Sequence, residues 1–105
     1  MPNGHDRNWI RFCGAVDGYR ARYGKWPPRV AMEQVYCDDL RRMFAEAEFA
    51  AIEARIELRA RDGAHMIAED DAGNVYDYGR EGFSDVEPDE RARDWFGVEP
   101  INEDW

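Results

Sequence analysis

An α+β fold is predicted, with two or three N-terminal helices followed by a three-stranded antiparallel β-meander and a short C-terminal helix. Three observations predict it. Apolar residues recur every three or four positions through the first half, the period changes to two at Ile56, and two glycine-containing turn sequences follow. The 105 residues suit one core, since either half alone would be too small to stand without metal or disulfide support. A single domain over 1–105 is expected, with 1–7 frayed and 98–105 forming an acidic aromatic tail that docks in part.

The first helix is carried by Trp9, Phe12, Cys13, Val16, Tyr19 and Tyr23, which share one helical face. Asn8 or Asp6 is placed to cap it, Gly24 can adopt the left-handed conformation that ends it, and Pro27-Pro28 forbid continuation. An extended stretch follows through Arg29 and Met32. Tyr36, Leu40, Met43 and Phe44 then mark a second helical run, and Phe49, Ile52 and Ile56 a third. No Gly or Pro separates these runs, so one bent helix and two helices with a joint near Ala45 both fit.

Beyond this point Ile56, Leu58 and Ala60 alternate with Glu57, Arg59 and Arg61, which is strand spacing. Asp62-Gly63 reads as a type I′ hairpin turn, so Leu58 should face Ile67 and Ala60 should face His65. A second turn at Ala72-Gly73 would set Asp71 opposite Asn74 and gather Ile56, Leu58, Ile67, Tyr76 and Tyr78 on one sheet face. Pro88 suits a first helical position, Asp89 and Glu90 favour the positive end of a helix, and Gly97 can stop it. A helix from about Pro88 to Phe96 is expected.

Charge is distributed unevenly. Through Arg61 there are 11 basic and 9 acidic residues, and from Asp62 onward 3 basic and 14 acidic, giving −9 overall. All cations but Lys25 are arginines, whose planar fork matches carboxylates, so much of the basic half is expected to face the acidic half. The segment from Gly18 to Trp26 interleaves cations with aromatics, as nucleic-acid surfaces do. Tyr19 and Tyr23 belong to the helix core face, however, and an acidic domain repels phosphate, so no direct nucleic-acid binding is expected.

Motifs for catalysis or metal binding are thin. Cys13 and Cys37 have no metal-ligand spacing and are expected as buried, reduced core thiols. His65 and Glu69 lie four residues apart on what the alternation makes a core face, which suits a histidine at the core margin better than an acid/base pair. Glu69, Asp70, Asp71, Asn74 and Asp77 collect oxygen ligands in a turn, but their spacing departs from the EF-hand loop. Ser84 is the only serine and has no nucleophile signature around it. No cofactor, metal or catalytic residue is expected. With no apolar run near the roughly 20 residues needed to span a bilayer and no signal-peptide layout, a cytoplasmic protein without membrane contact is expected.

These readings favour a non-enzymatic acidic binding protein that engages a cationic site on a protein partner with a basic surface. The expected partner-binding residues are Asp70, Asp71, Asp77, Glu81, Asp85, Glu87, Asp89 and Glu90. A nucleic-acid mimic, inhibiting a nucleic-acid-binding complex of the kind used against host defence, is its concrete version. A structural or accessory subunit of a larger assembly, joined through Trp95, Phe96 and Trp105, is the alternative, and a small metal-dependent enzyme is a third reading.

Overall fold

The spacing of Trp9, Phe12, Cys13, Val16 and Tyr19 produces the helix it predicts. In a computed structural model that describes residues 4–82 and 91–100, with side chains from Asn8 onward, helix α1 runs Gly4–Tyr23 and all five side chains are buried. It therefore begins at Gly4, within the segment 1–7 that the sequence marks as an end. Gly24 ends it at φ +74°, with its N–H donating to Arg20 O at 2.8 Å. Two further helices, α2 (Gln34–Met43) and α3 (Glu46–Arg55), resolve the open joint. Phe44 takes an extended conformation between them, and its buried ring packs edge-on to Trp9 at 4.9 Å and against Phe49 at 6.5 Å. Tertiary packing, rather than a helix-breaking residue, makes the bend.

The sheet differs from the expected meander. Four strands, β1 (Arg29–Met32), β2 (Glu57–Ala60), β3 (Ile67–Glu69) and β4 (Val75–Asp77), lie in the order β2-β1-β3-β4. The β1–β2 pair is parallel and sets Val30 beside Leu58, while β1–β3 and β3–β4 are antiparallel. Leu58 therefore does not face Ile67. The short segment read only as an extended stretch is the centre of the sheet. Val30, Ala31 and Met32 are fully buried, and a strand so buried must satisfy its backbone groups on both edges, which it does with β2 and β3. Asp62-Gly63 does turn, with Gly63 at φ +79°, but the turn opens a crossing rather than a hairpin. Glu33 N–H donates to Ala64 O at 3.1 Å, so the chain passes the end of β1 before β3 begins.

The second hairpin forms with its register shifted by one residue. Asp70 N–H bonds to Asn74 O at 3.1 Å, leaving a three-residue loop over 71–73, and Ala68 rather than Ile67 shares a face with Tyr76. Gly73 at φ +93° supplies the left-handed residue that three-residue hairpin loops need. The shift exchanges the two faces of β3: Ala68 and Tyr76 enter the core, and Ile67 stands opposite Asp77 on the other side. After Asp77 the chain coils into a short turn of helix, α4 (Tyr78–Glu81), so Tyr78 is not part of the strand.

Val30, Met32, Ala68 and Tyr76 form one apolar cluster with the inner face of α1, Leu40 and Met43 of α2, Phe49 and Ile52 of α3, and Ala92 and Phe96 of the last helix, α5 (Ala92–Phe96). These four helices thus cover one face of the sheet, and Arg29, Glu57, Arg59, Ile67 and Glu69 alternate onto the other. Arg91 is extended (φ −97°, ψ 151°), so α5 starts after it instead of at Pro88, and Ala92 N–H donates to Asp17 Oδ1 at 2.6 Å. Gly97 closes α5 at φ +68°, as expected, and Val98 and Pro100 are buried, which docks the tail that far. Residues 83–90 and 101–105, including Ile101 and Trp105, lie outside the described residues. No described helix is long and apolar enough to cross a membrane.

Candidate acidic surface

The β3–β4 hairpin and α4 carry the four expected partner-binding acids that are described, and local chemistry explains how each is held. Asp70 begins the hairpin loop and closes it: its carboxylate accepts from Ala72 N–H at 3.0 Å, Asn74 N–H at 2.9 Å and Asn74 Nδ2 at 2.9 Å. Tyr19 Oη donates to the same carboxylate at 2.7 Å, and Lys25 Nζ stands 3.2 Å away. With its side chain only 9% exposed, Asp70 is a structural acid whose oxygens are taken. The Tyr19 hydroxyl, with help from Asn74 and Lys25, holds the carboxyl well below its ordinary pKa. Burial, reinforced by Asp70, pushes Tyr19 up to about 12.

Asp71 is the opposite case. Its side chain is 92% exposed, and it pairs with Arg29 at 2.7 Å. Glu81 is gripped by both guanidinium nitrogens of Arg22, one at 3.1 Å, which lowers its pKa. A second Glu81 contact accepts from Asp77 N–H at 3.3 Å. Asp77 and Glu81, with Val75 and Arg80, line an open hollow of about 480 Å³ at the β4 edge. Asp85, Glu87, Asp89 and Glu90 lie outside the described residues.

Sequence reasoning did not single out Glu69 as the centre of an ion-pair network. Arg29 Nε donates to it at 2.8 Å, and Arg61 forks onto it at 2.9 and 2.7 Å. Arg61 is the main cause, and Arg29 the second, of a carboxyl pKa lowered to about 2. The register explains the miss, because β1 brings Arg29 directly opposite Glu69 and no local pattern reveals that pairing. His65 meets Tyr36 edge-on at 5.3 Å and packs under Gly79, and Glu69 is committed to two arginines, so the two do not form an acid/base pair. Among the described residues, no three His, Cys, Asp or Glu side chains stand close enough to hold a metal ion.

Among the described residues, four first-half cations pair with acids of the second half. Arg22 meets Glu81, Lys25 meets Asp70, Arg29 meets Glu69 and Asp71, and Arg61 meets Glu69. Compared with known protein families, curated proteins and solved structures, the chain matches none. The aromatics of the Gly18–Trp26 segment are equally engaged. Tyr23 Oη donates to Val75 O at 2.9 Å and accepts from Val75 N–H at 3.0 Å, and Trp26 stacks on Trp95. A base-stacking platform is therefore absent from that described segment.

Proposed function

We propose that this chain is a non-enzymatic acidic binding protein that engages a cationic site on a macromolecular partner. The observation that carries the reading is the internal pairing of Arg22, Lys25, Arg29 and Arg61 with acids of the second half. Those pairs engage Glu69, Asp70, Asp71 and Glu81 and leave the surplus of negative charge elsewhere. The sequence from 83 to 90 holds Asp85, Glu87, Asp89 and Glu90 without a single Lys or Arg. Of the eight acids expected to bind, these four carry the proposal, together with Asp77 and with Asp71, whose side chain stays 92% exposed in its pair with Arg29. Asp70 and Glu81 have structural duties instead. A protein surface that normally holds nucleic acid is the partner of matching charge, which makes a mimic or inhibitor the specific form of the proposal.

The test is capture of partners at low and physiological salt, followed by binding measurements on the purified hits. The variant Asp85→Asn/Glu87→Gln/Asp89→Asn/Glu90→Gln is compared with a control that neutralises the exposed acids Glu46, Glu53, Asp62 and Asp94. The first variant should bind at least about tenfold more weakly than the control, with most of the loss in the on-rate. Equal binding by both variants at every salt concentration would refute the proposal.

A further inference from the structure

The two edges of the sheet are treated differently. On the β4 edge the outward-facing backbone groups are covered: Val75 N–H and C=O both bond to Tyr23 Oη, Arg22 adds a bond to Val75 O at 3.2 Å, and Asp77 N–H bonds to Glu81. On the β2 edge no described residue does this. Glu57 N–H donates to Pro28 O and Arg61 N–H to Met32 O, so in this parallel ladder Glu57, Arg59 and Arg61 point their backbone groups inward. Leu58 and Ala60 therefore point theirs away from the sheet.

We infer that β2 pairs antiparallel with β2 of a second copy of this chain about a two-fold axis at Leu58. Only registers that match the outward-pointing residues of β2 are allowed, which means Leu58 against Leu58, Leu58 against Ala60 or Ala60 against Ala60. The first sets Glu57 of each copy opposite Arg59 of the other, two attractive pairs on the open face. The second sets Arg59 against Arg59 and Glu57 against an Arg61 already held by Glu69, and the third sets Arg59 against Arg61. The side chains of Glu57 and Arg59 are exposed, and they already meet within one strand at 2.8 Å. Charge thus selects the register centred on Leu58, in which the two partly buried leucines adjoin on the core side and Ala60 N–H reaches Ile56 O of the other copy. Ile56 N–H is spent on Ile52 O, but its carbonyl is not needed there. A hollow of about 350 Å³ lined by Pro28 and residues 53–58 opens beside this end of β2 and gives the second strand room. Edge strands that avoid association place like charges or Lys along the edge, whereas this one sets Glu57 and Arg59 symmetrically about Leu58, so that the segment complements itself.

A four-residue edge buries less than a standard interface, so the dimer is weak and sedimentation equilibrium should extend to about 1 mM chain. Expected is a monomer–dimer equilibrium that Arg59→Glu and Glu57→Arg each weaken at least tenfold, and that the charge-exchanged double variant Glu57→Arg/Arg59→Glu restores. Ala60→Pro, which removes an N–H pointing to solvent in the monomer, should abolish the dimer while the melting temperature stays within a few degrees of the parent. A chain that is monomeric at every concentration overturns the inference and leaves the edge to a different strand. So does a dimer that is indifferent to both single charge reversals.

Discussion

Trp26 and Trp95 lie face to face, with ring centroids 4.3 Å apart and planes within 1° of parallel. Arg20 sits over the outer face of Trp26 at 4.9 Å and Arg55 over that of Trp95 at 6.0 Å, so four side chains from four parts of the chain form one stack. The stack fastens α5 to the turn that follows α1. Both tryptophans are half-buried, so the interaction combines area burial with ring geometry. Trp95→Ala should cost about 2 kcal/mol, and a double-mutant cycle with Trp26→Ala should give a coupling of about 1 kcal/mol. Chemical denaturation measures both, and additive losses would show that the rings are neighbours without being partners.

Gly18 lies against the ring of Tyr76, where an added methyl would overlap the ring carbons. Tyr76 is pinned by its Oη, which donates to Gly82 O at 2.6 Å. Replacing a mid-helix glycine by alanine usually stabilises by about 1 kcal/mol. Here Gly18→Ala should instead destabilise by about 2 kcal/mol, because the ring and its hydrogen bond must shift together. Thermal melts decide the sign.

The hairpin register makes Ala68→Asp and Ile67→Asp unequal. Ala68 is fully buried against α1, whereas Ile67 stands on the open face opposite Asp77. The first change should unfold the domain and the second should lower its stability by no more than about 1.5 kcal/mol. Circular dichroism of the two proteins is sufficient, and the reverse order, with Ile67→Asp unfolding the domain and Ala68→Asp tolerated, would restore the register inferred from the Ala72-Gly73 turn alone.

Glu69 ties acid stability to one carboxyl. Its folded pKa is lowered from 4.5 to about 2 by Arg61 and Arg29, so the folded state holds the ionised form more tightly than the unfolded chain does. The stabilisation is therefore present above pH 4.5 and is lost as pH falls toward 2. Glu69→Gln should flatten the stability curve across that window and cost about 3 kcal/mol at neutral pH, since Arg29 and Arg61 would face each other without their shared carboxylate. Urea midpoints at a series of pH values read both effects.

The thiols should separate kinetically. Cys13 is 5% exposed and burial raises its pKa strongly, whereas Cys37 is only half-buried and its pKa is raised less by the same cause. Cys37 should react with a thiol reagent in the native protein and Cys13 only on unfolding. The half-buried Cys37 corrects the expectation that both are buried core thiols. Mass spectrometry of labelled peptides distinguishes them.

Helix α1 is legible in the sequence because its buried face repeats at helical spacing over four turns and a left-handed glycine ends it. The internal pairing of arginines with acids is legible as well, from the excess of Arg over Lys and the opposed charge of the two halves. Strand β1 is not. Four residues, Arg-Val-Ala-Met, behind two prolines show no alternation, because three of them are buried in the middle of the sheet while Arg29 reaches an acid distant in sequence. Missing β1 left Asp62-Gly63 as the nearest explanation for a partner to β2. The one-residue error at the next turn has a different origin: Asp70 folds the loop around its own carboxylate, adding a residue that a two-residue turn signal does not count.

The position of β1 also sets an order on synthesis. Arg29 leaves the ribosome well before either Glu57 or Glu69, the residues it will stand between. Until both later segments exist, the most apolar strand of the sheet has no neighbour on either edge, and only the β3–β4 hairpin is built from residues close in sequence. Assembly of the sheet is therefore governed by loop closure over distant segments, which makes folding slower than the helical content alone implies. During translation the nascent Val30-Ala31-Met32 segment is the stretch for which a chaperone would compete.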